Sequence, residues 1–313
     1  MKFLVVGAGA LGGYFGARLL AAQRDVTFLL RAGRAAQLAK TGLNVKSPHG
    51  DLSLPPPPHL LSEQIAGHYD VIVVGCKAYD LEATMESFAA AVGPDTLILP
   101  LLNGMRHLDQ LGARFGAERV LGGLCMISAT LAADGTVLHL NDTHALVFGE
   151  PAAHASPRTD ALLAAMAGAG FDARASADIV QEMWEKWIFI AAAAGATCLM
   201  RASIGDIVAA GHAELPAALL EECDAIAARQ GHAARAPSKV RALSMLTAPG
   251  SPITASMMKD MERGGAIEAD HIAGDMLARA AAGAAPTLTM AHAHMKTYEV
   301  RRAREARQPA GAQ

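Results

Sequence analysis

An α/β domain with a doubly wound sheet, followed by an all-α domain, is the architecture the sequence predicts. Three observations carry this. Residues 1–34 read as strand, glycine turn, helix and strand. Apolar β-rich runs and helix-period segments then alternate as far as residue 176, the pattern of a mostly parallel sheet flanked by helices. From residue 178 onward only helix-period segments are found. The boundary is placed between a first domain at 1–175 and a second at 176–313.

The first element is the short apolar run at residues 3–6, followed at once by Gly7-Ala8-Gly9-Ala10-Leu11-Gly12. An alanine- and leucine-rich segment and a second apolar run at 25–30 complete one βαβ unit. In that context the G-x-G-x-x-G spacing carries a mechanism. Gly7 permits the tight turn, Gly9 lets backbone approach a pyrophosphate, and Gly12 lets the helix pack close to the sheet. Ala10, Leu11 and Gly12 open the helix, whose unpaired N–H groups and dipole favour phosphates. This is a Rossmann-type dinucleotide site. An NAD site usually ends its second strand on an acid that bonds the ribose hydroxyl. Here that strand runs into Arg31 and Arg34 instead. A guanidinium matches phosphate oxygens, so NADP (as NADPH) is the expected cofactor. Lys77, after the apolar run at 71–75, is placed to add a second cation, and the alternative for the arginines is solvated charge on a loop.

Composition narrows the classes. Of 313 residues, 52% are hydrophobic and 18% charged, ample for a packed core and unlike a disordered chain. The net charge of −3 and the lack of a basic run argue against a nucleic-acid or anionic-membrane surface. Cys76, Cys125, Cys198 and Cys223 lie far apart with no C-x-x-C spacing, which fits reduced thiols and a cytoplasmic location. Residues 1–2 lead straight into the first strand, with no signal-peptide pattern. The longest charge-free apolar run, residues 187–200, falls short of the ~20 residues a bilayer span needs.

Along the chain, a short helix is expected at 35–40, a strand pair at 42–46 and 50–54, and a rigid link at the prolines 55–58. A buried strand at 71–75, a helix at 81–92 and a strand at 96–102 follow. Strands are expected within 120–130 and 136–150, a helix at 162–169 and a last strand at 171–176. The second domain offers helices at 178–200, 213–230, 237–247, 254–263, 267–282 and 286–304, and a frayed polar end at 304–313. Its alanine content suits close helix packing and is compatible with a homodimer.

Three residues stand out for chemistry. Lys186 precedes a stretch with no charged residue until Arg201. A lysine at the mouth of such a helix is either a desolvated proton donor or a snorkelling cation with its ammonium in water. Glu268 opens an apolar helix, where the dipole favours a carboxylate whether or not it has a task. Asn103 sits in an Asn-Gly turn after a strand, a place for ligands and also a common turn dipeptide. Ser256 and Asp260 read as cap and surface residues, and His139, His144, His271, His292 and His294 show no metal-forcing spacing.

Together these residues resemble the ketopantoate reductase family over almost the whole chain. The resemblance rests on the glycine turn with Arg31, the Lys77 turn, Asn103-Gly104, Trp184-Glu185-Lys186, and Ser256-Met257 through Asp260 to Glu268. It implies that Lys186 protonates a ketone oxygen as NADPH delivers hydride, and that Asn103 positions the lysine. It further implies that Glu268 helps hold the substrate and Ser256 binds its carboxylate. The family's asparagines one and two turns after the lysine read Ile190 and Ala194 here. Its Gln-Asn-Gly reads Leu102-Asn103-Gly104, and its Gly-Arg-x-Thr-Glu reads Gly264-Gly265-Ala266-Ile267-Glu268. Thinner polar recognition implies a different or more apolar 2-keto acid. Thr197 and Arg201 are candidate replacements for carboxylate binding.

The expected function is NADPH-dependent reduction of a 2-keto acid to the 2-hydroxy acid. The alternatives are another Rossmann dehydrogenase, opine-type or polyol-phosphate, and a non-catalytic NADPH-binding sensor.

Overall fold

The computed structural model describes residues 1–307. The chain divides into two compact units. The first comprises Met1–Asn103 and His107–Val180, and the second Gly104–Arg106 and Gln181 onward.

The first unit begins with strand β1 (Lys2–Val6), helix α1 (Ala10–Ala21), β2 (Asp25–Leu29) and α2 (Ala32–Thr41). Strands β3 (Leu43–Lys46), β4 (Leu52–Leu54), β5 (His59–Leu60) and β6 (Val71–Val74) follow. Helix α3 (Leu81–Phe88) leads to β7 (Leu97–Pro100) and α4 (Arg106–Phe115). The unit continues with β8 (Gly122–Met126), β9 (Ala129–Leu131), β10 (Val137–His139), β11 (Ala145–Gly149), α5 (Pro157–Met166) and β12 (Asp172–Ala175).

Five strands form a parallel sheet in the order β5-β2-β1-β6-β7. The order reverses direction between β1 and β6, the switch point at which open α/β sheets bind ligands. Both faces are covered, as the continuous apolar runs require. Phe3, Val5, Val71, Val73, Leu97 and Leu99 face the core that includes Phe15 and Leu19 of α1. Leu4, Val6, Ile72, Val74 and Ile98 face the opposite core with Leu81, Met85 and Phe88 of α3. Alternate residues of one strand thus serve two separate cores.

A second sheet, β4-β3-β10-β9, packs on α1, and a third, β12-β11-β8, mixes one parallel and one antiparallel pairing. The expected runs at 120–130 and 136–150 therefore each split into two strands that join different sheets. The expected helix at 162–169 starts earlier, at Pro157, because Ser156 caps it through Thr159. The expected helix at 81–92 ends at Phe88 and tightens into a 3₁₀ turn, Ala89–Ala91.

The second unit carries most of α6 (Ile179–Met200), then α7 (Ile204–Ala209), α8 (Glu214–Arg229), α9 (Ala236–Leu246) and α10 (Ser256–Glu262). A π-turn, Asp270–Gly274, runs into α11 (Asp275–Ala278), and α12 (Pro286–Arg307) ends the described chain. Residues 304–307, expected to fray, continue α12, and 308–313 lie outside the described residues. Among the described residues no helix is long and apolar enough to cross a membrane.

Candidate active site

In the first unit a cleft of about 630 Å³ opens at the carboxyl ends of β1, β2 and β6. Val6, Gly7, Ala8 and Gly9 line it, with Arg31 and Arg34 on a second side and Gly75, Cys76, Lys77 and Asp80 on a third. Gly7 turns at φ +87°, in the left-handed region, and its N–H donates to the Leu29 carbonyl at 2.9 Å. A side chain at Gly7 or Gly9 would meet nothing within 4 Å, so the space above both is open. At Gly12 a Cβ would fall 2.2 Å from the Gly7 carbonyl oxygen, which only glycine avoids. Ala10 and Leu11 form the first turn of α1. An extended, twice-charged phosphate pair suits this arrangement of open backbone, helix N-terminus and nearby cations.

The two arginines play different parts. Arg31 stands at the start of α2 with its side chain 75% exposed, 3.5 Å from Asp80. Arg34 is not a solvated loop charge. Its Nε donates to the Ala8 carbonyl, and its two terminal nitrogens donate to Gln37 and to the Gly135 carbonyl. Burial holds its guanidinium below the ordinary arginine value. Arg34 therefore braces the glycine turn, leaving Arg31 as the exposed cation of that wall. Asp80, a residue the sequence reading passed over, brings a carboxylate into the same cleft. Its only local signal was an acid three residues after Lys77.

Asn103 follows β7 and is half-buried, in the turn whose Gly104 has φ +78°. In the second unit Lys186 lies half-buried on α6, five residues before the stretch 191–198 that is buried throughout. Its neighbour Glu185 is held by the Arg235 guanidinium, at 2.6 and 2.9 Å. Burial pushes the Glu185 carboxyl up, but those bonds win and hold it below its ordinary value. Ser256 is exposed at the first residue of α10, and Glu268 is half-buried just before the π-turn. Ile190 is half-buried and Ala194 buried on the same helix as Lys186.

Thr197 and Arg201 both have partners within the chain. Thr197 is fully buried, its hydroxyl donating to the Ala193 carbonyl at 2.7 Å and accepting the Ala255 N–H at 3.3 Å. It thereby bonds the residue ahead of Ser256. Arg201 already binds a carboxylate, that of Glu262, at 2.7 Å. Among the described residues no group of His, Cys, Asp and Glu is arranged to hold a metal.

Comparison with known proteins identifies the lineage. The family model "Ketopantoate reductase PanE/ApbA" matches residues 3–153, and its C-terminal counterpart matches residues 178–299. The chain belongs to the ketopantoate reductase family. Family membership makes it an oxidoreductase dependent on a nicotinamide dinucleotide. It is 38% identical to the "Uncharacterized oxidoreductase YkpB" of Bacillus subtilis over 302 residues, 96% of this chain and 99% of that one. It is 29% identical to the 2-dehydropantoate 2-reductase of Archaeoglobus fulgidus, covering 86% of this chain and 87% of that protein. The crystal structure of 2-dehydropantoate 2-reductase from Geobacter metallireducens superposes with a TM-score of 0.85 at 30% identity, covering 95% and 99% of the two chains. The first unit of this ketopantoate reductase family member carries the cleft beside the glycine turn, and the second carries Lys186, Ser256 and Glu268.

Proposed function

We propose that the protein reduces a 2-keto acid to the corresponding 2-hydroxy acid, using NADPH. The observation that carries the cofactor choice is the cleft wall: Arg31 and Lys77 line it, and no acid ends β2. Two cations near a ribose suit a 2′-phosphate better than a hydroxyl. The dinucleotide supplies the hydride when bound. Lys186, an ammonium at the edge of a charge-free buried helix, donates the proton to the ketone oxygen. Asn103 orients that lysine, Ser256 bonds the substrate carboxylate, and Glu268 holds the substrate's other end. Four cysteines that form no disulfide accord with a cytoplasmic enzyme.

The substrate's side chain is the open variable, and Ile190 and Ala194 bear on it. One and two turns on from Lys186, they offer methyl groups and no hydrogen bonds. A site without such polar groups discriminates weakly for a hydroxylated keto acid, so the preferred substrate is an apolar 2-keto acid.

The test is NADPH consumption with ketopantoate, 2-oxoisovalerate, pyruvate and phenylglyoxylate, with NADH in parallel. Turnover fastest on an apolar keto acid supports the full reading. Ketopantoate as the best substrate by tenfold or more would overturn the apolar preference and keep the reaction. Tight NADPH binding with no turnover of any keto acid would overturn the reaction itself.

A further inference from the structure

The segment that carries Glu268 is held from one side by α12. Arg302 Nε donates to the Gly264 carbonyl and the Tyr298 hydroxyl to the Gly265 carbonyl, each at 2.7 Å. After Glu268, the exposed Asp270 accepts from Lys296 at 2.6 Å and pairs with His292 at 3.0 Å. Asp270 also begins the π-turn, Asp270–Gly274, a rare break in helical register that recurs at functional positions.

A side chain of α6 reaches the same turn. Trp187, fully buried and next to Lys186 in the chain, donates its indole N–H to the Ile272 carbonyl at 3.1 Å. The Ile272 N–H in turn donates to the carbonyl of Glu268 at 3.0 Å. A short chain of bonds thus runs from the residue beside the lysine, through Ile272, to the backbone of the glutamate. The indole itself is clamped. Trp184 lies with its ring centroid 4.9 Å away, and the Arg279 guanidinium sits 5.5 Å over the Trp187 ring. Gly104, which follows Asn103 in sequence, closes on the same turn: a Cβ there would lie 3.3 Å from both Nε2 and the carbonyl of His271. Residues adjacent in the chain to two of the site positions therefore meet the turn that follows the third.

We propose that Trp187 is a positioning residue, setting Glu268 relative to the Lys186 segment through the π-turn. The inference rests on the reading of Glu268 as a substrate-holding group. A buried indole N–H needs a partner, and here the partner it takes fixes the backbone of a functional carboxylate rather than an arbitrary carbonyl.

The experiment removes the N–H without removing the ring. Trp187→Phe and a chain with 3-benzothienylalanine at position 187, which keeps the bicyclic shape, are compared with the native enzyme on the four keto acids above. Each is measured alone and with Glu268→Gln, recording keto-acid KM, kcat, NADPH Kd and thermal midpoint. Losing one buried hydrogen bond should raise keto-acid KM about tenfold, with NADPH Kd unchanged. The same change should have almost no further effect once Glu268 is Gln. Equal factors in both backgrounds, or a lowered thermal midpoint with unchanged KM, would overturn the proposal. If Glu268→Gln alone leaves KM unchanged, the role of Glu268 falls first and takes the proposal with it. The benzothienyl chain keeps the test decisive should the Phe variant fold poorly.

Discussion

The Arg31 guanidinium and the Asp80 carboxylate face each other 3.5 Å apart on the cleft wall. Both are well exposed, and exposed pairs contribute only about 0–1 kcal/mol. Arg31 is therefore held loosely enough to turn to a ligand, and Asp80 competes with any phosphate for it. Asp80→Asn is expected to tighten NADPH binding roughly two- to fivefold and leave NADH unchanged. Arg31→Ala is expected to weaken NADPH roughly ten- to a hundredfold, the range for a charged hydrogen bond, with little effect on NADH. Fluorescence titration with both nucleotides gives the four constants. A constant NADPH to NADH ratio across the variants would remove Arg31 from cofactor selection.

Lys186→Ala is expected to lower kcat by about 10²–10⁴, the usual size of a general-acid effect, while NADPH Kd holds. Stopped-flow hydride transfer isolates the chemical step. Near-native rates in that variant would show that another group delivers the proton.

Acid should weaken the first unit through His144, one of three stacked histidines. His49 and His144 stack with ring centroids 3.7 Å apart, and His139 stacks on His144 at 5.8 Å. His144 bonds the buried Tyr14 hydroxyl through Nδ1 at 2.7 Å. Desolvation, then the neighbouring His49, hold His144 below the ordinary histidine value, with His139 and Arg18 adding to the effect and Asp172 opposing it. The sign follows directly. Below about pH 6.5 the unfolded chain binds a proton that folded His144 refuses, so stability falls as pH falls. For this one proton the slope should reach about 1.4 kcal/mol per pH unit at the acid end and fade out by about pH 7.5. Urea midpoints between pH 5 and 8 measure it. His144→Phe, which cannot be protonated, should flatten the curve, and an unchanged slope would exclude His144 as its source.

Thiol chemistry should discriminate sharply among the cysteines. Cys76 lines the dinucleotide cleft and is half-buried. Burial pushes the Cys198 thiol up to about 12 and Cys223 higher still. Thiolates are the reactive form, so iodoacetamide should label Cys76 first, leaving Cys198 and Cys223 unmodified in the folded protein. Saturating NADPH should slow the Cys76 reaction. Peptide mass analysis with and without nucleotide checks both statements.

How far the sequence could be read depended on whether its signals were local. The β1–α1–β2 unit is legible because glycine turn, apolar runs and helix follow one another within residues 1–30. Lys186 and Glu268 stand out because a charge beside a long apolar stretch is conspicuous. Helix α4 escaped notice because only His107 and Leu111 of its ten residues are buried, too sparse an apolar stripe to show a period. Helix α7 is six residues long, and its start is set by a capping pair, Ser203 and Asp206, rather than by periodicity. The two-residue strand β5 exists only because β2 offers it an edge. The partners of Thr197 were illegible for a related reason. A hydroxyl on an apolar helix looks like a ligand contact until Ala255, 58 positions away, is seen to claim it. Nothing local announces the π-turn.

The glycine turn contains two kinds of glycine, and a deep mutational scan would separate them. Gly12, Gly13 and Gly16 are closed by bulk: an added Cβ would meet the Gly7 carbonyl oxygen at 2.2 Å, Val137 at 2.8 Å and Phe28 at 2.4 Å. Gly9 has open space and a φ of −77° that any residue adopts. Selection for cellular abundance should therefore deplete variants at 12, 13 and 16 and pass alanine at 9 as neutral. Selection for reductase activity should deplete alanine at 9 as well. One short motif would thus leave two distinct signatures, one of foldability and one of catalysis, and the gap between the two scans would outline the nucleotide's footprint without a ligand in sight.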